Sequence, residues 1–172
     1  DVQKQADQPF YRIATTFAYS KTVPSLVSYP GLSTFSSSLE RTTMDQFAFM
    51  GDQGINAATE YENGTLLTDA LYGVRYYIDV KDLDPTEKEA HPERMYFTRF
   101  ASRFDMQRYF TQKVYEDERY IVYENPNSFP LAYGTNDLVR NINFGRNNAI
   151  QNQNIILNSM EGVKKGEENY LD

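Results

Sequence analysis

Few side chains in this sequence are set out in a pattern that chemistry could use. The one histidine, His91, lies between Ala90 and Pro92 in a charged stretch. A general base needs a partner that positions it, and the sequence offers His91 none. A Ser-His-Asp triad would have to use this residue, so triad hydrolysis is disfavoured. Asp82 and Asp84 stand two apart, a spacing that lets two carboxylates share a hard divalent cation. With Pro85, Glu87 and Glu89 they also make an ordinary solvated turn, and that reading is preferred because short motifs match by chance. Cysteine is absent, so thiol nucleophiles, disulfides and zinc-finger spacings are excluded. Gly51-Asp52-Gln53-Gly54 follows a helical pattern rather than a strand, the wrong context for a phosphate cradle.

What remains suits carbohydrate. Aromatic faces stack on sugar rings, and amides and hydroxyls fix sugar hydroxyls in a groove. The chain has 14 tyrosines, and it clusters Ser33, Ser36, Ser37 and Ser38. The segment VYENPNSFPLAYG, Val122 to Gly134, packs Tyr, Asn and Pro together. Candidate contacts to a carbohydrate or partner are Tyr29, Ser33, Ser36, Tyr123, Asn125 and Asn127. Each also has a structural reading: the serines as a helix cap, the tyrosines as strand residues, and Asn125-Pro126-Asn127-Ser128 as a type I turn. Asn63-Gly64-Thr65 has the form of a glycosylation sequon and serves equally as a turn and helix start.

Composition bounds the rest. The 172 residues make one ordinary domain, long enough to bury a core. Aromatics at 15% argue against disorder. A net charge of -7 lacks the basic face that nucleic acid requires. It also argues against docking on anionic lipid by charge alone. No apolar run approaches the roughly 18 residues that span a bilayer.

The elements that must hold these groups follow from periodicity. Residues 1–8 read as a polar linker, 9–162 as the domain, and 163–172 as a tail leading towards a membrane segment. The chain opens DVQKQADQPF and stops at NYLD, which reads as an excised piece of a larger protein. Phe10 to Phe17 reads as a strand. Val23 to Gly31, broken by Pro24, Pro30 and Gly31, reads as a loop. Ser37 and Glu40 have capping-box spacing for a helix over about 38–50, ended by Gly51 and Gly54. Thr65 opens a second helix closed by Gly73, which leads directly into a central strand, Val74 to Val80. In that strand Val74, Tyr76, Ile78 and Val80 alternate with Arg75, Tyr77 and Asp79. Lys81 to Glu93 reads as a charged loop and Met95 to Phe100 as strand or loop. Tyr109–Tyr115 and Arg119–Glu124 read as a hairpin turning at Glu116 to Glu118. Leu131 to Tyr133 reads as the start of another strand. A last helix follows Asn147 or Asn148, with Ala149, Ile156 and Met160 on one side and Ile150 and Leu157 beside them.

Several of these segments, in this order, resemble one family. Phe10-Tyr11-Arg12-Ile13 and Tyr29-Pro30-Gly31-Leu32 with Phe35-Ser36-Ser37 resemble its first landmarks. Ala70-Leu71-Tyr72-Gly73-Val74-Arg75-Tyr76-Tyr77-Ile78 resembles its Gly-Val-Lys/Arg-Tyr strand. Val122-Tyr123-Glu124-Asn125 with Pro130-Leu131-Ala132-Tyr133-Gly134 resembles its Tyr-Glu-Asn segment, and Asn143-Phe144 with Asn152-Gln153-Asn154 its closing motif. The family is the YfhO-type polytopic bacterial membrane proteins. One departure stands out: Asn143 occupies a position that is usually Pro.

The resemblance implies a GT-C-like glycosyltransferase that takes sugar from a polyprenyl-phosphate carrier on the outer face of the membrane. Its implied acceptor is a cell-wall polymer such as the teichoic acid of Gram-positive bacteria. This chain would be an extracytoplasmic domain that holds no cofactor and has the protein's own transmembrane region as partner. The resemblance carries over no catalytic residue, because no position here matches the family's catalytic carboxylate. The alternatives are a non-catalytic structural or protein-interaction domain and, weakest, a free-standing enzyme. The fold class expected is α/β or α+β: a single domain with a mixed β-sheet and helices packed on it.

Overall fold

The computed structural model describes residues 10–18, 20–81, 98–99, 104–110 and 112–162. The expected linker over 1–8, the tail over 163–172, His91, Asp82 and Asp84 lie outside the described residues. The architecture is α+β in a single domain, built on a mixed four-stranded sheet. Its strands are β1 (Arg12–Thr15), β6 (Val74–Val80), β9 (Tyr120–Glu124) and β8 (Gln112–Glu116), in that order. β1 runs parallel to β6, while β6–β9 and β9–β8 are antiparallel. A smaller antiparallel sheet holds β3 (Thr34–Phe35), β5 (Ala58–Glu60) and β4 (Gln53–Ile55). β2 (Phe17–Ala18) pairs with β7 (Thr98–Arg99). The helices are α1 (Val23–Leu26), α2 (Arg41–Met50), α3 (Leu66–Leu71), α4 (Phe104–Tyr109) and α5 (Ala149–Glu161).

The Val74–Val80 strand holds with its expected bounds and its interior position. Gly73 makes the join, because it takes φ +65°, a value that costs a Cβ-bearing residue strain. The expected simple alternation fails at one point. The β1–β6 register shifts between Arg12/Val74 and Ile13/Tyr76, so Arg75 bulges out of the ladder. Val74 therefore joins Tyr77 in the core with Phe47, Met50, Tyr61, Tyr72, Phe110 and Tyr123. Tyr76 packs in the second cluster with Tyr11, Ile13 and Val122. Apolar side chains are buried in both clusters, as a central strand requires.

Several expectations are corrected. The strand over Phe10–Phe17 breaks at Thr16, whose hydroxyl turns inward to hydrogen-bond the buried Asp79 carboxylate. Val23–Leu26 forms one helical turn rather than a loop, because Pro24 pre-sets a helical φ at the N-terminus. Helix α2 starts at Arg41, and Glu40 caps it without a side-chain bond. The Ser37/Glu40 capping box does not form, since β3 pairing and the Ser36–Ser38 hydroxyl bond hold that segment in its own turn. The capping box is at α3, where the Thr65 hydroxyl accepts from the Thr68 N–H and the Thr68 hydroxyl accepts from the Thr65 N–H. Tyr109 ends helix α4, and the hairpin strand begins only at Gln112, after the fully buried Phe110. Leu131 to Tyr133 forms no strand: both Leu131 and Tyr133 are exposed, and a 3-10 turn over Asp137–Asn141 follows.

The last helix departs most from its pattern. Its buried side chains are Asn152, Gln153, Asn154 and Asn158, whereas Ile150 is 67% exposed. The N-terminal half of α5 lies against the C-terminal end of α2, where helix carbonyls lack intrahelical partners and need donors. Asn152 Nδ2 donates to the Phe49 carbonyl and Gln153 Nε2 to the Met50 carbonyl, each at 2.8 Å. Gln153 Oε1 in turn accepts from the Thr65 hydroxyl at 2.8 Å, so one amide ties α2, α3 and α5 together.

Candidate functional site

The six candidate contact residues fall into two places. Tyr29 and Ser33 line a small recess with Pro24, Leu32 and Tyr61. The Ser33 hydroxyl accepts the Tyr61 N–H at 3.2 Å. Burial raises the Tyr29 hydroxyl to a pKa of about 12, against a hydrogen bond with Thr15 that lowers it. Ser36 stands nearby in sequence, in the turn it makes with Ser38.

Tyr123 lies in β9, and Asn125 and Asn127 follow in the turn that leaves it. Tyr123 is 6% exposed within the main core cluster. Asn125 is 2% exposed, and both of its side-chain heteroatoms are engaged internally. Its Nδ2 donates to the Val74 carbonyl at 2.9 Å, and its Oδ1 accepts from the Asn127 N–H at 3.0 Å. Its own N–H donates to the Arg75 carbonyl at 2.7 Å. Beside it, Arg75 Nη2 pairs with Glu124 at 3.0 Å. Two landmark segments of the chain therefore clasp each other: the strand after Gly73, and the turn after Tyr123. Asn127 is exposed, and it joins this clasp through its backbone N–H. No hydrogen bond among the described residues joins the Tyr29–Ser33 group to the Asn125 group.

A cleft larger than the Tyr29 recess lies elsewhere, and none of the six lines it. It is a cleft of about 400 Å³ between α2, the β4–β5 hairpin and the segment that enters α5. Helix α2 supplies Arg41, Met44, Asp45, Ala48 and Phe49, positions that helical periodicity sets on one side. The hairpin supplies Gly54, Ile55 and Asn56, and the α5 approach supplies Arg146 and Asn147. Local rules explain why the walls stand so close. A Cβ on Gly54 would meet the Met44 carbonyl oxygen at 1.9 Å, so only glycine lets β4 lie on α2. Asn56 and Ala57 take φ +54° and +58°, the two left-handed residues of a type I′ hairpin turn. Asn147 also takes φ +59°, and asparagine tolerates that region better than most residues. Phe49 packs on Phe144 with centroids 5.5 Å apart, which anchors the approach to α5. Arg41 pairs with Asp45 at 2.9 Å, and Arg146 has no ion pair among the described residues.

Sequence reading passed over this cleft because its polar residues are scattered from 41 to 147. The one local signal was Asn56-Ala57 between alternating residues, a weaker form of the Asn-Gly hairpin cue.

A third polar group surrounds Lys21. Its ammonium pairs with Glu60 at 3.0 Å and donates to Gln53 Oε1 at 2.8 Å. A hydrogen bond with Glu60 is the main reason the Glu62 carboxyl is pushed up to about 7; burial and the Glu60 and Asp52 charges add to it. Burial would raise Glu60, but its bonds with Glu62 and Lys21 hold it below the usual range. Asp52 Oδ1 accepts the Glu62 and Asn63 N–H groups, which fixes the loop that carries Glu62.

Among the described residues no group of three or more His, Cys, Asp or Glu is placed to hold a metal ion. No helix among them is long and apolar enough to cross a membrane. No curated protein and no solved structure matches the chain. The family described as "Bacterial membrane protein YfhO" matches over residues 1–172, the span that includes both clasped segments and the Asn152-Gln153-Asn154 amides. The chain therefore belongs to the YfhO family of bacterial membrane proteins.

Proposed function

We propose that this chain is the extracytoplasmic accessory domain of a multi-pass membrane glycosyltransferase. The full protein takes sugar from a polyprenyl-phosphate carrier and passes it to a cell-wall polymer such as teichoic acid. The domain contacts the polymer and its own transmembrane region, while the transfer itself is made in the membrane part. Membership of a bacterial membrane protein family supports the membrane setting. The observation that carries acceptor contact is the α2–β4 cleft, a concave surface whose lining includes the polar side chains of Arg41, Asn56, Arg146 and Asn147. Polar groups set among apolar lining residues are how ligand sites orient what they bind. Tyr29, Ser33, Ser36 and Asn127 are secondary contact candidates on the same reading, whereas Tyr123 and Asn125 contribute by holding the β9 turn.

Titration of the chain with teichoic-acid fragments, followed by amide chemical shifts, tests this. Shifts at cleft residues are expected. A flat titration at millimolar ligand would leave the second reading, a domain that only positions the membrane part. That reading draws on the clasp of Asn125 to Val74 and Arg75, which gives the family's landmark segments a purely structural use.

A further inference from the structure

Four of the exposed large apolar side chains sit on neighbouring elements. Leu26 in α1 is 69% exposed, and Val27, which caps that helix, is 64% exposed. α1 lies beside β3, where Phe35 is 55% exposed. Phe35 and Ile55 both stand opposite Ala58, one from each flanking strand, so they share a face of the small sheet. Ile55 is 57% exposed. Contiguous apolar surface of this kind marks a place of contact.

The sequence around it carries no charge. Lys21 and Glu40 bracket 18 residues, Thr22 to Leu39, with no Asp, Glu, Lys, Arg or His, in a chain that is 24% charged. Ser25 and Ser37, exposed in this run, add neutral hydroxyls. The backbone holds the tip in place beforehand. Pro24 is buried, the Leu26 and Val27 N–H groups donate to the Thr22 and Val23 carbonyls at 3.0 Å, and the Tyr29 N–H donates to the Pro24 carbonyl at 3.0 Å. A Cβ on Gly31 would meet Pro24 at 2.4 Å, so the returning chain lies directly on that proline. A tip that is already ordered loses little conformational freedom on binding.

The missing charge selects the occupant. The boundary between lipid headgroups and acyl chains accepts apolar tips among neutral hydroxyls, and it penalises ions that lose their water. A net charge of -7 repels the chain from anionic lipid, so it can approach a bilayer only through a neutral, apolar face. The YfhO family is one of membrane proteins, which brings a bilayer within reach of the chain. We infer that the α1–β3 surface docks on the lipid bilayer, with Leu26 and Val27 inserted at the headgroup–acyl boundary. The membrane setting alone, and not sugar transfer, bears on this surface.

The chain has no tryptophan, so Leu26→Trp in the 172-residue chain supplies a single fluorophore at the tip. With phosphatidylcholine vesicles its emission should shift to the blue, and bromines on the acyl chains should quench it. The shift should persist at high salt, because no ion pair holds this surface down. Adding Val27→Asp should weaken vesicle binding about tenfold or more, since it removes an inserted apolar group and adds an ion. Leu131→Asp, at an exposed apolar position outside the patch, should leave binding unchanged. Circular dichroism checks that the Val27→Asp chain is folded, and Val27→Ser, which adds no charge, should weaken binding in the same direction. Unshifted emission at millimolar lipid, a shift abolished by salt, or Val27→Asp binding like its parent would each overturn the inference. If vesicles leave the emission unchanged while a crosslinker at position 26 of the full-length protein captures its own transmembrane part, the occupant is protein and the bilayer assignment falls.

Discussion

Replacing Asn152 with leucine should destabilise this domain by about 1–5 kcal/mol, although leucine is apolar, similar in size and a better helix former. Asn152 is 1% exposed and makes three bonds of 2.8 Å: to the Phe49 carbonyl, the Gly145 carbonyl and the Gly145 N–H. Leucine leaves the Phe49 carbonyl without a donor at the buried end of α2, a cost of about 1–3 kcal/mol. Gly145 is exposed, so its two groups regain water and lose only the net value of a bond, about 0.5–1.5 kcal/mol each. Added apolar burial offsets about 1 kcal/mol. Urea unfolding followed by circular dichroism measures the difference, with the m-value expected to stay unchanged. Asn152→Asp gives an independent check. It keeps the shape and the acceptor but points a carboxylate at two carbonyls, so it should be at least as damaging at pH 7 and recover as acid protonates it. A leucine variant within about 0.5 kcal/mol of the parent would refute the idea that these amides, and not the apolar face of α5, hold the helix down.

Other consequences can be measured in the same way. Gly54→Ala puts a Cβ 1.9 Å from the Met44 carbonyl oxygen, which is backbone and cannot swing aside. It should cost about 3 kcal/mol or prevent folding, as read by urea unfolding. Ala57→Gly relieves a left-handed alanine in the hairpin turn and should stabilise by about 0.5–1 kcal/mol; a loss of stability would count against the type I′ assignment. Glu62 has a folded pKa raised to about 7, so it binds a proton more tightly folded than unfolded. Its contribution is present in full below about 4.5 and is lost as pH rises through about 7. Glu62→Gln keeps an uncharged partner for Glu60, so its melting temperature should exceed the parent's at pH 8 and converge with it near pH 5. A difference independent of pH would show that the two carboxyls do not share a proton.

Much of the frame was written locally. The run Thr65–Val80 carries its own helix, stop and strand: Thr65 to open the helix, Gly73 for the left-handed join, then branched and aromatic residues. Neighbours a few positions apart settle each of those choices, so the sequence displays them. The turn after Tyr123 was equally legible, since Asn125 and Pro126 suit its first two positions. The Ser37/Glu40 capping box misled, because its serines were claimed by the turn after β3. Leu131–Tyr133 misled too, because extended residues make a strand only where a partner edge lies beside them.

The site was not legible, and neither was the role of α5. Its apolar residues looked like the buried face, yet Asn152 and Gln153 are what it buries. A helix end has carbonyls to satisfy, and which distant amide satisfies them depends on how two helices meet, about a hundred residues apart in sequence. The cleft has the same origin. The sequence by itself determined the alphabet of elements, the central strand, the aromatic core and, through its ordered landmarks, the family. Only the tertiary structure decided that those landmarks clasp one another, that amides lock the last helix, and that Arg41 and Arg146 line one cleft. Local propensities act between near neighbours along the chain, whereas charge and shape complementarity act across space, so only the folded chain brings those two arginines together.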